Sequence, residues 1–239
     1  MIPVPTFAMY KIGAMNTGHD IMEIPLDDRF DLPVNRMLDT LSEKNPKITF
    51  LSYPNNPSGN CFDSGKVGAI IEASKGIVVV DEAYFNFSKK TFLPFLEKWD
   101  NLTVLRTLSK VGLAALRIGI MVANPSLIRQ LEKVRLPYNL NMVSQAAGQL
   151  FFEHENEFSL QIEDIISERE RLLVELKRID GIIPYPSEAN FILFSCHGDK
   201  NSIYEGLIER EVLIKNFPSS GLLRDCMRVT VGSEEENNA

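Results

Sequence analysis

An α/β fold is predicted, with a mostly parallel central sheet flanked by helices and a smaller C-terminal α+β domain. Three observations carry it. Short apolar or β-branched runs at Ile48 to Ser52, Ile77 to Val80 and Leu102 to Leu105 alternate with helical spacing, the order expected of a parallel sheet. Ile77 to Val80 is apolar on both faces and lies between Gly76 and Asp81, as suits a strand covered by helices on each side. Beyond Gly181 the order changes, and strands follow two long amphipathic helices.

The elements are justified in turn. Asp63 to Lys75 has helical spacing with Asp63 as N-cap, and Gly76 is expected to end it in the left-handed conformation. Ile118 to Val122 repeats the strand character, and Pro125 to Val134 opens with Pro at a first helical turn. Arg135-Leu136-Pro137-Tyr138-Asn139-Leu140-Asn141 breaks the helical pattern, so a domain boundary is set there: 1–137 as the large, cofactor-binding domain with its N-terminal part missing, 138–239 as the small domain with its linking helices. Val143 to Phe152 and Glu157 to Ile179 read as helices. Strands are expected at Asn190 to Ser195, Val212 to Lys215 and Met227 to Val231, with a helix near Ser202 to Arg210.

Composition narrows the function class. The 239 residues can bury a full core, and 44% hydrophobic with 24% charged residues is ordinary for a globular chain. A formal charge of -7 without a basic stripe argues against nucleic acid. Cys61, Cys196 and Cys226 are odd in number and widely spaced, and His19, His154 and His197 are scattered, which disfavours a disulfide framework or a metal site. The start Met1-Ile2-Pro3-Val4-Pro5 lacks a basic region followed by an apolar core, and no run approaches the roughly 20 apolar residues of a membrane span. A cytoplasmic protein that does not engage membranes is expected.

The strand ends carry the chemistry. An amine (Lys110), a carboxylate (Asp81), a phenol (Tyr84) and a carboxamide within Asn55-Asn56 stand at the ends of consecutive strands, where such sheets bind ligands in a crevice. Most lysines lie on the surface. Lys110, however, follows a buried strand with Arg117 close in sequence, so desolvation and a neighbouring cation would leave its amine free to attack an aldehyde, as a Schiff-base lysine requires. Asp81 could cap a helix or bind a loop; as a site residue it would pair with a pyridinium nitrogen and keep the ring an electron acceptor. Tyr84 either packs as a buried aromatic or sends its hydroxyl toward the same ring. Asn55 to Gly59 is a turn by composition, and a rigid turn at a strand end can hold one amide toward a ligand. Ser109 and Arg117 suit a phosphate, as hydroxyl donor and bidentate cation. Arg228 enters an apolar strand, so an internal acid or a ligand carboxylate should meet it; Lys215 is a weaker candidate for the same pocket. Together these groups suit pyridoxal 5'-phosphate.

Six stretches then resemble the histidinol-phosphate aminotransferase family within the fold type I pyridoxal phosphate enzymes. They are Pro5 to Tyr10, Tyr53 to Gly59, Asp81 to Tyr84, Arg106 to Gly119, Ser187 to Leu193 and Arg228 to Gly232, in the family's order. The resemblance implies Lys110 as covalent anchor and proton shuttle, Asp81 on the pyridinium, and Asn56 and Tyr84 on the ring hydroxyl. It implies Ser109 and Arg117 on the phosphate, Phe7 against the ring, and Arg228 on the carboxylate of glutamate or 2-oxoglutarate. The implied reaction converts L-histidinol phosphate and 2-oxoglutarate to imidazole acetol phosphate and L-glutamate, a step of histidine biosynthesis. A small-molecule amino donor, a 2-oxo acid and a homodimer of the full-length form are the implied partners.

The chain departs from that pattern. It begins well inside the family's usual start, so the phosphate-binding glycine loop and the N-terminal arm have no counterpart, and it ends before the usual closing helix. The Lys110 to Arg117 spacing is one residue shorter than is common in the wider class, and Lys215 replaces an arginine. A fragment is therefore expected. The alternatives are a threonine-phosphate decarboxylase-like lyase and an inactive truncated aminotransferase.

Overall fold

β3 (Ile48–Ser52), β4 (Ile77–Asp81) and β5 (Leu102–Thr107) run parallel at the centre of the computed structural model, which describes residues 1–238. Each carries residues buried on both faces: Leu51, Val80 and Val104 on one, Ser52, Val79 and Thr103 on the other. That is why these runs read as continuously apolar rather than alternating. β6 (Gly119–Ala123) completes this sheet at its edge and is antiparallel to β5. The reversal follows from the short link between them, which leaves no room for a crossover helix.

On the opposite side, β1 (Ile2–Val4) pairs in parallel with β2 (Glu23–Pro25) and lies beside β3, joined by Phe50 N–H donating to Met1 O at 3.1 Å. Between β1 and β2 runs α1 (Met9–Asn16), and α2 (Val34–Lys44) precedes β3. α3 (Ser64–Ala73) crosses from β3 to β4 and buries Val67, Ile70 and Ile71; Asp63 caps it, accepting from Lys66 N–H. The expected left-handed stop at Gly76 is corrected: Gly76 is absent from the positive-φ glycines, and α3 ends at Ser74 in an extended conformation. Gly76 is needed for close approach, since a Cβ there would lie 2.3 Å from Pro46 O and 2.5 Å from Lys47 O.

After β4 comes the single turn α4 (Phe85–Ser88), and after β6 the helices α5 (Pro125–Glu132), α6 (Met142–Glu153) and α7 (Glu155–Arg178). α6 brings Phe151 against Leu108 and Ile118, at a point where Gly148 lets the helix approach Ile118. α7 buries Ile162 and Arg169, and the Arg169 guanidinium donates to Ala189 O at 3.1 Å.

The C-terminal sheet is antiparallel, with order β7 (Ile182–Pro184), β8 (Phe191–Cys196), β10 (Cys226–Thr230), β9 (Lys215–Asn216). α8 (Lys200–Ile208) links β8 to β9, and a short turn, α9 (Glu234–Asn237), follows β10. β9 is shorter than the predicted Val212 to Lys215, because Val212 N–H donates to Leu207 O and finishes α8 instead of joining the ladder. No helix among the described residues is long and apolar enough to cross a membrane.

Candidate active site

The C-terminal ends of β3, β4 and β5 face Arg228 on β10, so the site lies between the parallel and the antiparallel sheets. After β3, Asn55 and Asn56 separate in role. Asn55 is fully buried and structural: its Nδ2 donates to Pro5 O at 3.1 Å and Ser58 Oγ at 2.7 Å, and its Oδ1 accepts from Thr6 Oγ1. Asn56 points the other way and accepts from Arg228 Nη1. Gly59 closes this loop at φ +84°, with its carbonyl accepting from Glu188 N–H at 2.7 Å.

At the end of β4, Asp81 is held by both oxygens. Oδ1 accepts from Ala83 N–H at 3.0 Å, and Oδ2 accepts from the Tyr10 hydroxyl at 2.6 Å. Burial raises the Asp81 pKa, opposed by the Tyr10 and Ala83 donors and the Lys110 cation. Glu82, next in sequence, turns inward and is fully buried, paired with Arg106 at 3.0 Å and bonded to Thr91 Oγ1 and Phe92 N–H. Arg106 in turn stacks 3.4 Å from the centre of the Phe85 ring.

Lys110 follows β5, in an irregular helical stretch where Val111 and Gly112 leave helical dihedrals. Its Nζ lies 5.2 Å from the centre of the Tyr84 ring. Burial lowers its pKa, the Arg228 cation lowers it further, and Asp81 opposes both. Tyr84 is buried and meets Phe191 edge-on at 5.2 Å. Burial raises its phenol, with Arg228 opposing and Asp81 assisting. The Arg228 guanidinium lies 4.6 Å over the other partner of that pair, Phe191. Lys110, Tyr84, Phe191, Arg228 and Asn56 thus form one continuous line of contacts.

Two cavities open onto this line. One of about 370 Å³ is walled by Lys110, Phe87, Ile162 and Asn190, and one of about 360 Å³ by Phe7, Asn56, Lys215 and Arg228. Phe7 is exposed and edge-on to Tyr10 at 5.6 Å. Lys215 stands directly opposite Arg228 in the β9–β10 register. Ser109 accepts from Thr107 Oγ1 at 2.9 Å, while Arg117, exposed and at φ +57°, donates to Ala114 O. Neither Ser109 nor Arg117 lines the two cavities.

Sequence reasoning assigned no part to Tyr10, Phe191 or the Glu82–Arg106 pair. Tyr10 and Phe191 lay within noticed stretches, but a stacking or second-row partner has no spacing signal of its own. Among the described residues no acid meets Arg228: its partners are a neutral carboxamide and an aromatic face, and its Nε is buried without a hydrogen bond. Among the described residues no group of His, Cys, Asp and Glu is arranged to hold a metal ion.

Residues 1–239 match the family model described as aminotransferase class I and II. "Histidinol-phosphate aminotransferase 2" of Nitrosococcus oceani is 46% identical over 99% of this chain, which spans 66% of that protein's length. The crystal structure of the histidinol-phosphate aminotransferase from Clostridium acetobutylicum superposes with a TM-score of 0.93 at 21% identity, covering 99% of this chain and 74% of its own. The Sinorhizobium meliloti histidinol-phosphate aminotransferase, solved in complex with pyridoxal-5'-phosphate, gives 0.87 at 22% identity, covering 100% and 67%. The chain belongs to the class I and II aminotransferase family, whose members are pyridoxal phosphate enzymes.

Proposed function

We propose that this protein carries the catalytic machinery of a transaminase that exchanges an amino group between L-histidinol phosphate and 2-oxoglutarate. The observation that supports it best is the convergence of two half-buried groups, the Lys110 amine and the Asp81 carboxylate, with Arg228, which meets no acid among the described residues, around Tyr84. An amine shielded from water beside a cation is held ready as a nucleophile. A half-buried arginine whose Nε is buried without a partner is ready for a ligand carboxylate.

These residues fit pyridoxal phosphate at its ring end. Lys110 would anchor the aldehyde carbon, Asp81 the ring nitrogen, and Asn56 and Tyr84 the ring hydroxyl, with Phe7 against the ring face. Ser109 and Arg117, which lie outside the two cavities, would have to turn inward to take the phosphate. When bound, the group would supply an electron sink at the substrate's amine-bearing carbon. Lys110 Nζ, the amine that lines the cavity beside Tyr84, would move the proton at that carbon. Arg228, with Lys215 opposite, orients the 2-oxo acid by its carboxylate, and the apolar wall of Phe87 and Ile162 limits water at the amine. The same reading carries a homodimer of the full-length form, consistent with the exposed Val134, Leu136, Tyr138, Met142 and Val143.

Borohydride reduction with pyridoxal phosphate, followed by peptide mapping, tests the assignment. Label on Lys110, absent in Lys110→Ala, is expected; label on another amine rejects it. Carbon dioxide release from L-threonine phosphate without amino transfer would replace the transaminase by a decarboxylase.

A further inference from the structure

Tyr10 lies on α1, far in sequence from β4, yet its hydroxyl reaches Asp81 Oδ2 at 2.6 Å. Its ring is stacked on Phe50 of β3 at 4.7 Å with an interplanar angle of 14°, and Phe7 closes the side edge-on. Ser52, whose hydroxyl donates to Pro54 O, is a further polar neighbour of the phenol. Tyr10 is therefore clamped on a strand face, not free to turn toward solvent. Asp81 Oδ1 is tied to Ala83 N–H, so the two bonds together fix the carboxylate plane.

We infer that Tyr10 is a positioning residue, which orients the Asp81 carboxylate and holds it as an acceptor for the nitrogen of a pyridine ring. The inference rests on the proposed function, because it needs a ring nitrogen opposite Asp81. Its physical basis is directional. A carboxylate oxygen has two lone-pair sites, and the phenol occupies one of those on Oδ2, leaving the other for a ligand. The phenol can only act as donor here, since burial and the adjacent carboxylate raise its pKa well above the ordinary value. A donor to a charged acceptor favours the ionised carboxylate against the burial that disfavours it. A tyrosine that merely satisfies a buried acid would stabilise the fold without discriminating between ligands.

Binding of pyridoxal phosphate and of its 1-deaza analogue, in which C–H replaces the ring nitrogen, separates the two cases. Tyr10→Phe keeps the stack on Phe50 and removes only the hydroxyl. It is expected to weaken pyridoxal phosphate about tenfold, equivalent to about 1.4 kcal/mol, and the analogue less than about twofold. That selective loss should vanish in an Asp81→Asn background, as a double-mutant cycle requires of two groups acting as one. Equal weakening of both ligands, or no change in either, overturns the inference while leaving the proposed function intact. If the unaltered protein binds neither ligand, both fall together. Should Tyr10→Phe not fold, NMR of tyrosine labelled at Cζ in the unaltered protein decides. The Tyr10 signal must move with pyridoxal phosphate and stay in place with the analogue; identical shifts refute the inference.

Discussion

Arg228 and Asn56, 172 residues apart in sequence, share a hydrogen bond of 2.5 Å that joins the antiparallel sheet to the loop after β3. The guanidinium contacts only a neutral amide and an aromatic face among the described residues, and its Nε is unpartnered. Burying a cation this way costs stability that a ligand anion can return on binding. Arg228→Met should raise the KM for 2-oxoglutarate by about tenfold to a hundredfold, from loss of a charged hydrogen bond of about 1.5–3 kcal/mol. The denaturation midpoint should not fall, because a poorly paired charge is removed with it. Steady-state kinetics and urea melts check both.

Lys110 should react as an amine below the ordinary lysine range. Burial comes first among the causes, then the Arg228 cation, with Asp81 opposing. In pH-dependent reductive methylation with mass spectrometry, the Lys110 midpoint is expected below that of an exposed lysine. Arg228→Met should move it upward and Asp81→Asn downward. The stability sign follows from linkage: between the lowered folded value and the ordinary one, the unfolded chain binds more protons, so this group's contribution to stability rises with pH.

Glu82 and Arg106 make a structural pair, not a catalytic one. Glu82 is fully buried and Arg106 partly exposed. Arg106→Met strands the carboxylate with only Thr91 and Phe92 N–H as partners. A cost of about 3 kcal/mol is expected in chemical denaturation, at the low end for broken buried pairs because Arg106 retains solvent contact. Glu82→Gln should cost less, since those partners remain usable.

Gly59→Ala should loosen the loop that carries Asn56. Its φ of +84° disfavours any Cβ, and that Cβ would sit 2.5 Å from Ser187 Oγ. Backbone strain and overpacking together predict a loss of about 2–4 kcal/mol. The Asn56–Arg228 contact should weaken with it, visible as a raised KM for the 2-oxo acid.

Much of the fold was legible because periodicity is local. β3, β4 and β5 announced themselves as apolar runs, Asp63 capped α3 as its chemistry requires, and the two long helices showed their spacing. Gly76 was misjudged because a glycine after a helix more often signals a left-handed stop than a backbone approaching within a Cβ's radius. The direction of β6 depended on the path of the link before it, and the length of β9 on whether Val212 bonded to α8 or to β10.

For the site, the kinds of groups were readable from strand ends: amine, acid, phenol, amide and guanidinium. Which amide faces the cavity was not, since Asn55 and Asn56 are neighbours of one chemistry, and only the contacts with Pro5, Ser58 and Arg228 divide them. The sequence by itself determined where reactive side chains leave the sheet, because strand period and apolar burial are properties of adjacent residues. The tertiary structure alone decided which of them meet, placing Tyr10 behind Asp81 and Phe191 between Tyr84 and Arg228, because those pairings join residues from separate elements whose separation along the chain says nothing of their distance in space.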